Sequence, residues 1–426
     1  MEKKDPETEG GATHAVPAVQ RTTVGARAWD RTFAALHIPG YRWYWMGTAA
    51  SFMGMQMQWP AQSWLAYELT GSAFLLGLVS AAWGTPMFVL SLFGGVLADR
   101  MEKKQLMVLS QAAMGAVNLV LAVLISFDLI QFWHLLAAAT FSGAVFAFNM
   151  PARQAIIPAL VPRNMLFNAI TLSSGVMNAT RVLGPALAGV LMAFIGIEGA
   201  FYAAVANLLL AVALLARLPA TGTGKGTRKV SREIVEGLRY IRGRSLVLIL
   251  LGMAMVTVLF GMPYQNLMPV FAELLNVEEL GFGFLMAMTG IGALVGSLAI
   301  ANLGDYKRKG MLLMLSGIGF GVALVAFANV TSLYPALLIL MAVGAASTGF
   351  MSVNNTLIQM HISDDVRGRV MSVYMMTFGL MPLGTLPFGA IAQRYGAPLA
   401  VTIGGGLLAA VVLALMVLRR QLWRLE

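Results

Sequence analysis

The chain has 426 residues, of which 58% are hydrophobic and 11% are charged, with a formal net charge of +10. Because soluble domains carry roughly 25% charged residues, this composition excludes a soluble protein and indicates one that resides in a membrane. The absence of cysteine and the wide spacing of the four histidines exclude disulfides, iron–sulfur clusters and thiolate metal sites, so no metal or other cofactor is predicted.

The first 40 residues are polar and rich in turn formers, beginning MEKKDPETEGGATHAVPAVQ. No short apolar core follows the first lysines, so we do not interpret this stretch as a signal peptide. We predict that residues 1–40 form a disordered tail on the cytoplasmic side of the membrane.

Twelve apolar segments follow, each long enough for an α-helix that crosses the bilayer, which needs about 20 residues. Charged residues or turn residues separate them, for example TGS at 70–72 and YGAP at 395–398. The sequence therefore predicts twelve transmembrane helices. They cover about 43–68, 73–98, 104–126, 132–151, 166–195, 199–217, 246–270, 281–303, 310–328, 333–353, 369–391 and 398–418.

The basic residues are distributed unevenly between the two sides of these segments. With a cytoplasmic N-terminus, 27 of the 29 lysines and arginines fall in the inner tails and loops, including Arg153 and Arg163. The outer loops hold Arg394, and Arg181 lies inside a span. Since basic residues favour the cytoplasmic side, we predict that both termini are cytoplasmic, in the inner membrane of a bacterium. The positive charge then faces anionic lipid, so no nucleic-acid partner is predicted.

The longest inner loop, residues 218–244, begins with a Gly/Thr-rich linker and continues with apolar residues at helical spacing beside charged ones. This pattern predicts an amphipathic helix on the membrane surface. The loop divides the chain into a first six-helix bundle at 41–217 and a second at 245–418, followed by a cytoplasmic tail at 419–426.

The two groups of six spans contain similar stretches at a nearly constant spacing. LADRMEKK recurs as LGDYKRK with its Asp 206 positions later, NMPARQ recurs as NNTLIQ 205 positions later, and LGPALAG recurs as LGTLPFG 200 positions later. Such repeats indicate a duplication. We therefore predict an all-α membrane protein whose twelve transmembrane helices form two pseudo-symmetric six-helix bundles, with a site between them near the membrane midplane.

Several stretches resemble a known family. GGVLADRMEKK (94–104) resembles the signature loop between the second and third helices of the major facilitator superfamily. The stretches at 64–79, 151–170, 181–191 and 364–384 are similar to the branch that contains enterobactin exporters and macrolide efflux pumps, which are drug:proton antiporters. The resemblance runs from about residue 40 to 418 and implies the major facilitator fold and proton-coupled export.

The resemblance also implies a gate in the loop after the second helix, where Asp99 and Arg100 would pair with charges of neighbouring loops while one side of the carrier is closed. The alternative is that these charges anchor the helix end and set the topology. Glu102 stands where the family usually has Gly, which permits a left-handed turn that Glu resists. The predicted gating residues are Gly95, Asp99, Arg100, Lys103 and Lys104, with Asp305, Lys307 and Arg308 as a degenerate copy.

Polar residues within the spans are candidates for the wall of a substrate cavity. Arg181 is deep in a span, where a charge is energetically unfavourable unless it is paired with an opposite charge or hydrated. It either faces the cavity, which would favour anionic or strongly polar cargo, or donates hydrogen bonds to a neighbouring helix. The other polar residues either touch cargo or bridge helices. The candidates are Gln58, Trp59, Gln62, Asn149, Arg153, Asn178, Arg181, Asn355 and Gln359.

Two further features concern the transport cycle. Gly184, Pro185 and Gly189 resemble the Gly-Pro motif of exporters' fifth helix, which implies a bend that disfavours leak; the alternative is ordinary helix packing. No acid lies near the middle of a span, so proton coupling is implied by the resemblance and not by a buried acid. The nearest candidates are Glu68, at the outer end of the first span, and Asp99, of which Glu68 is favoured.

The sequence favours a monomeric secondary transporter that exports a small amphipathic molecule by alternating access, with protons as the coupling ion. Uptake by the same fold is the first alternative. An integral membrane enzyme would need clustered catalytic groups at one membrane face, and a channel would need no duplicated gating loop. No GxxxxGK[ST] motif occurs, so ATP does not drive the protein directly.

Overall fold

The computed structural model describes residues 32–220, 239–303, 308–419 and 422–423, with the backbone alone at 92–100, 364–365, 368 and 372. Within these ranges the chain is helical and contains no strand. The predicted N-terminal tail and amphipathic linker helix fall largely outside the described residues, as do Asp305 and Lys307.

Six long helices make up the first half. The first, α1, ends at Thr70 because Gly71 takes a left-handed conformation with φ of 58°. Gly196, with φ of 104°, makes the turn between the fifth and sixth helices. The six are α1 Pro39–Thr70, α2 Ala73–Arg100, α3 Lys103–Ser126, α4 Phe132–Leu160, α5 Leu166–Ile195 and α6 Ile197–Leu215.

The second half repeats this order, but two of its helices are broken where the sequence predicted continuous spans. In the first of them a π-helical turn, Thr257–Gly261, precedes Pro263 and Pro269, which lack the N–H that a helix requires. The helices are α7a Ser245–Val256, α7b Met268–Leu274, α8 Glu279–Asn302, α9 Lys309–Ala328, α10 Leu333–Met360, α11a Asp364–Phe378, α11b Met381–Tyr395 and α12 Ala397–Leu418.

Eleven helices in the described part of the chain are long and apolar enough to cross a membrane. The predicted twelfth, α1, is not among them, because its Gln, Tyr and Trp side chains lower its mean hydropathy. At 32 residues it is nevertheless about 48 Å long. The all-α membrane architecture is thus confirmed, and the count of twelve spans stays a prediction.

Helix α4 is longer than the predicted span. The apolar pattern predicts an end near Pro151, with Arg153 in the inner segment that follows, but α4 continues to Leu160. Arg153 lies inside this helix and is buried, with 5% of its surface exposed. The helix can continue because α1 supplies polar partners for Arg153, which a sequence pattern does not show.

The two halves pack in the same way. In the first half α2 packs along α4 and α3 along α6; in the second, α8 packs along α10 and α9 along α12. The contacts between the halves follow the same symmetry. The fifth helix of the first half, α5, packs along the second helix of the second half, α8, and the second helix of the first half, α2, packs along α11b, part of the fifth helix of the second half. This arrangement confirms two pseudo-symmetric bundles, while the residue boundaries of the domains stay predictions.

Candidate functional site

The two ends of the helix bundle differ in how the halves meet. We call the end that contains residues 70–73 and 395–397 the far end, and the end at which α6 ends and α7a begins the linker end. Among the described residues, four hydrogen bonds cross between the halves in the part of the bundle near the far end. They join the Tyr67 hydroxyl to the Glu273 carboxylate, the Ser72 hydroxyl and the Phe74 N–H to the side-chain oxygen of Gln393 at 2.9 and 3.5 Å, and Ser80 to Asn266 at 2.6 Å.

Helices α5 and α8 also meet closely near the far end. A Cβ atom placed on Gly189 of α5 would lie 2.6 Å from the Cα atom of Gly283 of α8, so the two backbones are in direct contact. The Trp64 ring of α1 lies 5.1 Å from the Phe282 ring of α8. Together these contacts close the far end between α1, α5 and α8.

One face of α5 shows where this closure stops. Toward the far end, Pro185 and Met192 on this face are buried. The same face continues toward the linker end with Arg181, Asn178 and Ser174. Arg181 and Ser174 are exposed, and Asn178 between them is half-buried. The interface between the halves is therefore closed beyond Arg181 and open from Arg181 to the linker end. We call this open space the central cleft.

Helix α5 has a second exposed face, and its chemistry is different. Leu183, Leu187, Val190 and Phe194 are all exposed at helical spacing, and all are apolar. This stripe suits the hydrocarbon of the bilayer. The stripe that ends at Arg181 is polar, so it faces water in the central cleft rather than lipid.

Arg181 therefore lies at the closed end of the central cleft. Its backbone carbonyl is in contact with α8, since a Cβ atom on Gly290 would lie 2.8 Å from it. The buried Tyr264, in the broken seventh helix, is close enough to Arg181 for an electrostatic interaction. The predicted cavity residues Asn178 and Arg181 thus lie together at the interface of the halves.

Arg153 occupies a different environment within the first half. Its guanidinium donates hydrogen bonds to the oxygens of Asn149 at 2.6 Å, Thr48 at 3.0 Å and Ser51 at 2.7 Å. Its charge also lies 5.2 Å from the centre of the Phe52 ring. Thr48 and Ser51 belong to α1, so in this conformation Arg153 bridges α4 and α1, while Asn149 holds the guanidinium from within α4.

The glutamine pair of α1 is buried as well. Asn118 of α3 donates to Gln58 at 3.0 Å, and Gln62 donates to the carbonyl of Leu135 in α4 at 3.1 Å. The pair thus joins α1 to α3 and α4. Trp59 is 38% exposed.

The repeat in α10 has diverged from that in α4. Asn354, which lies 205 positions after Asn149, is also fully buried and donates to the carbonyl of Leu250 at 3.1 Å. The position that corresponds to Arg153 holds the fully buried Ile358. Asn355 accepts a hydrogen bond from Gln359, and neither is buried.

The structure describes part of the predicted gate. Gly95, Asp99 and Arg100 lie in the last turns of α2, where the backbone alone is described. Lys103 and Lys104 begin α3 and are half-buried. They come directly after Glu102, whose φ of −64° is ordinary extended backbone, so the loop needs no left-handed residue there. The remaining described member, Arg308, is exposed just before α9.

The glycines of the predicted bend lie at helix contacts, and α5 is continuous through Pro185. Gly184 packs against Gln56 of α1, while Gly189 packs against Gly283 of α8. The two glycines thus let α5 approach a neighbour in each half.

Glu68 is exposed in the last turn of α1, near Glu279 of α8. Sequence reasoning missed its counterpart Glu273, which lies 205 positions later and accepts the Tyr67 hydrogen bond across the halves. The spacing between Glu68 and Glu273 matches that of the other repeats and could have identified the pair.

The chain is similar to known membrane transporters in sequence and in fold. Residues 30–425 match the family described as transmembrane secretion effector. The staphyloferrin A transporter of Staphylococcus aureus is 26% identical over 363 residues, or 82% of this chain and 89% of that protein. Macrolide efflux protein A of Streptococcus pyogenes is 24% identical over 368 residues, or 83% and 89%. The nucleoside transporter NupG shares the fold, with a TM-score of 0.68 and 14% identity over 88% of this chain and 98% of that one.

Proposed function

Because the chain belongs to the transmembrane secretion effector family of the major facilitator superfamily, we propose that it exports a small amphipathic molecule across the bacterial inner membrane. The class of cargo is the one suggested by its relatives, which are named for a siderophore and for macrolides. It acts as a monomeric transporter and not as an enzyme.

The observation that carries this proposal is the change of exposure along α5 at Arg181. A cleft that is open at one end and closed at the other is one state of an alternating-access cycle. The paired contacts of α5 with α8 and of α2 with α11 form the interface about which the halves would rock. In the opposite state the far-end contacts separate and the linker end closes.

The distribution of lysines and arginines supports a cytoplasmic linker end with both termini inside. The cleft then opens to the cytoplasm, which is the side from which an exporter takes its cargo. The predicted gate around Asp99 would close this end during the cycle. Glu68, at the far end, is the proposed site of proton coupling.

Flux measurements in inverted membrane vesicles test export and its coupling. We expect vesicles that contain the protein to accumulate a macrolide, a siderophore or a lipophilic dye when a proton gradient is imposed. Collapse of the gradient with a protonophore should abolish this accumulation. Uptake in right-side-out vesicles would overturn export, and accumulation that persists without the gradient would overturn proton coupling.

Asp99→Asn tests the gate. The substitution removes a carboxylate charge while it preserves the size of the side chain, and an ion pair at a two-state interface biases one state over the other. We expect flux to fall about 10-fold, which corresponds to roughly 1.4 kcal/mol, with normal abundance in the membrane. Normal flux at normal abundance would assign Asp99 to anchoring of the helix end.

A further inference from the structure

Arg181 differs from every other basic residue in the described part of the chain, because it lies deep in a helix and yet is exposed. It stands 15 residues after the start of α5, about 22 Å along the helix axis. We infer that Arg181 is the residue with which this protein selects anionic substrates, and that it binds their carboxylate, sulfonate or phosphate group at the closed end of the central cleft. This inference rests on the proposed function and narrows its substrate class.

The Arg181 charge has no acidic side chain at its own depth. All 19 acidic residues of the sequence lie in tails, loops or the ends of spans. Among the residues that the structure describes, none accepts a hydrogen bond from the Arg181 guanidinium, and the neighbour that interacts with it electrostatically is the neutral phenol of Tyr264. A cation at this depth of a membrane protein is costly unless it is hydrated or paired. The central cleft supplies the water, and a bound anion would supply the pair.

Arg153 is an example, in the same protein, of an arginine whose role is structural. Its three hydrogen-bonding nitrogen atoms are directed at Asn149, Thr48 and Ser51, and the side chain is buried. Such a guanidinium is not accessible to a molecule in the cleft. Arg181 is accessible, so the two arginines within the helices have different roles.

The surroundings of Arg181 define the shape of the ligand. A guanidinium binds planar oxyanions with two parallel hydrogen bonds, which makes arginine a selective anion receptor. Asn178 and Ser174 follow on the same face of α5 toward the linker end, where they can contact polar groups. The site therefore fits an amphipathic anion that enters from the linker end with its anionic group directed at Arg181.

Two dyes that share the same aromatic framework and differ in charge test this inference. Anilinonaphthalene sulfonate is a permanent anion, and phenylnaphthylamine is the neutral compound that lacks the sulfonate. Fluxes of both are measured in inverted vesicles that contain the full chain, and their ratio is compared between variants. We expect Arg181→Gln to lower the ratio of sulfonate flux to neutral flux about 10- to 100-fold, as the loss of hydrogen bonds to a charged group would.

Two further variants separate charge recognition from a structural role. Arg181→Lys keeps the charge and should restore a large part of the ratio. Asn178→Asp places a carboxylate one turn before Arg181, where it competes with the sulfonate, so the ratio should also fall. The matched control is Arg163→Gln, at an exposed position in the turn before α5, about 27 Å along the helix axis from Arg181, which should leave both fluxes unchanged.

The outcomes separate this inference from the proposed function. If Arg181→Gln reaches normal abundance and leaves the flux ratio within about twofold of the wild type, the inference is wrong and export stands. If the wild type moves the neutral dye and excludes the sulfonate, the inference is also wrong. If wild-type vesicles move neither dye nor any other amphipathic compound, the proposed function fails as well.

Discussion

Gly189→Leu is expected to lower export about 100-fold without lowering the amount of protein in the membrane. A Cβ atom at Gly189 would lie 2.6 Å from the Cα atom of Gly283 and 2.9 Å from the carbonyl oxygen of Glu279. Because both neighbours are backbone atoms, no side chain can move away, and α5 must separate from α8. Such overpacking costs about 3 kcal/mol, which lowers the population of the form with a closed far end roughly 100-fold.

The matched control is Gly175→Leu on the same helix. A Cβ atom at Gly175 meets no atom within 4 Å, so the larger side chain fits without displacement of a neighbour. Both variants lower the flexibility of α5 and add the same apolar surface. A difference in flux between them therefore reports the contact with α8.

The conformational effect can be followed with single thiols, since the chain contains no cysteine. Ser80→Cys reports on the far end, where Ser80 contacts Asn266 of the other half, and Ser174→Cys reports on the central cleft. In Gly189→Leu we expect faster maleimide labelling of the first thiol and slower labelling of the second. Unchanged labelling with normal flux would show that the Gly189–Gly283 contact does not close the far end.

Arg153→Ile is expected to destabilise the first half by about 3 kcal/mol or more. The substitution removes the donor for Asn149, Thr48 and Ser51, and each polar group left buried without a partner costs about 1–3 kcal/mol. The midpoint of thermal unfolding of the purified protein should fall by roughly 6 °C or more. Arg163→Ile, at an exposed position near the start of α5, is the control and should leave the midpoint unchanged.

A compensated variant distinguishes the loss of hydrogen bonds from a need for the charge itself. The second half folds with Ile358 at the corresponding position, so the architecture does not require a buried arginine there. Arg153→Ile combined with Thr48→Val and Ser51→Ala also removes the two hydroxyl groups that would be left without a donor. This triple variant should recover at least half of the stability that the single variant loses. If the triple variant is no more stable than the single one, the cost arises from something other than unpaired polar groups.

Much of the fold could be predicted because it depends on local features of the sequence. Apolar length identifies a span whatever its neighbours are, and the Asn149 and Asn354 repeat stretches identify the duplication. The span with the weakest apolar signal is α1, whose glutamines Gln58 and Gln62 are buried among other helices. Its polar residues Gln58 and Gln62 pack against α3 and α4, so low hydropathy there reflects an interior position.

The roles of polar residues could not be read from the sequence, because burial depends on the partner helix. Arg153 and Arg181 are both arginines within helices, and neither has an acid at its own depth. Their environments differ because α1 supplies hydroxyl groups to Arg153, whereas the side chain of Arg181 is exposed although its backbone contacts α8. Only the arrangement of the helices distinguishes the two.

The contacts that close the far end differ in how they respond to the external medium. Where Gly189 meets Gly283 the atoms in contact belong to the two backbones, which carry no ionisable group. Nearer the surface of the far end, Glu68 and the Tyr67–Glu273 pair place carboxylate groups whose interactions are screened by dissolved salt. Saline surroundings are thus expected to change how readily these outer contacts separate, while the contact between the two backbones beneath them is unaffected.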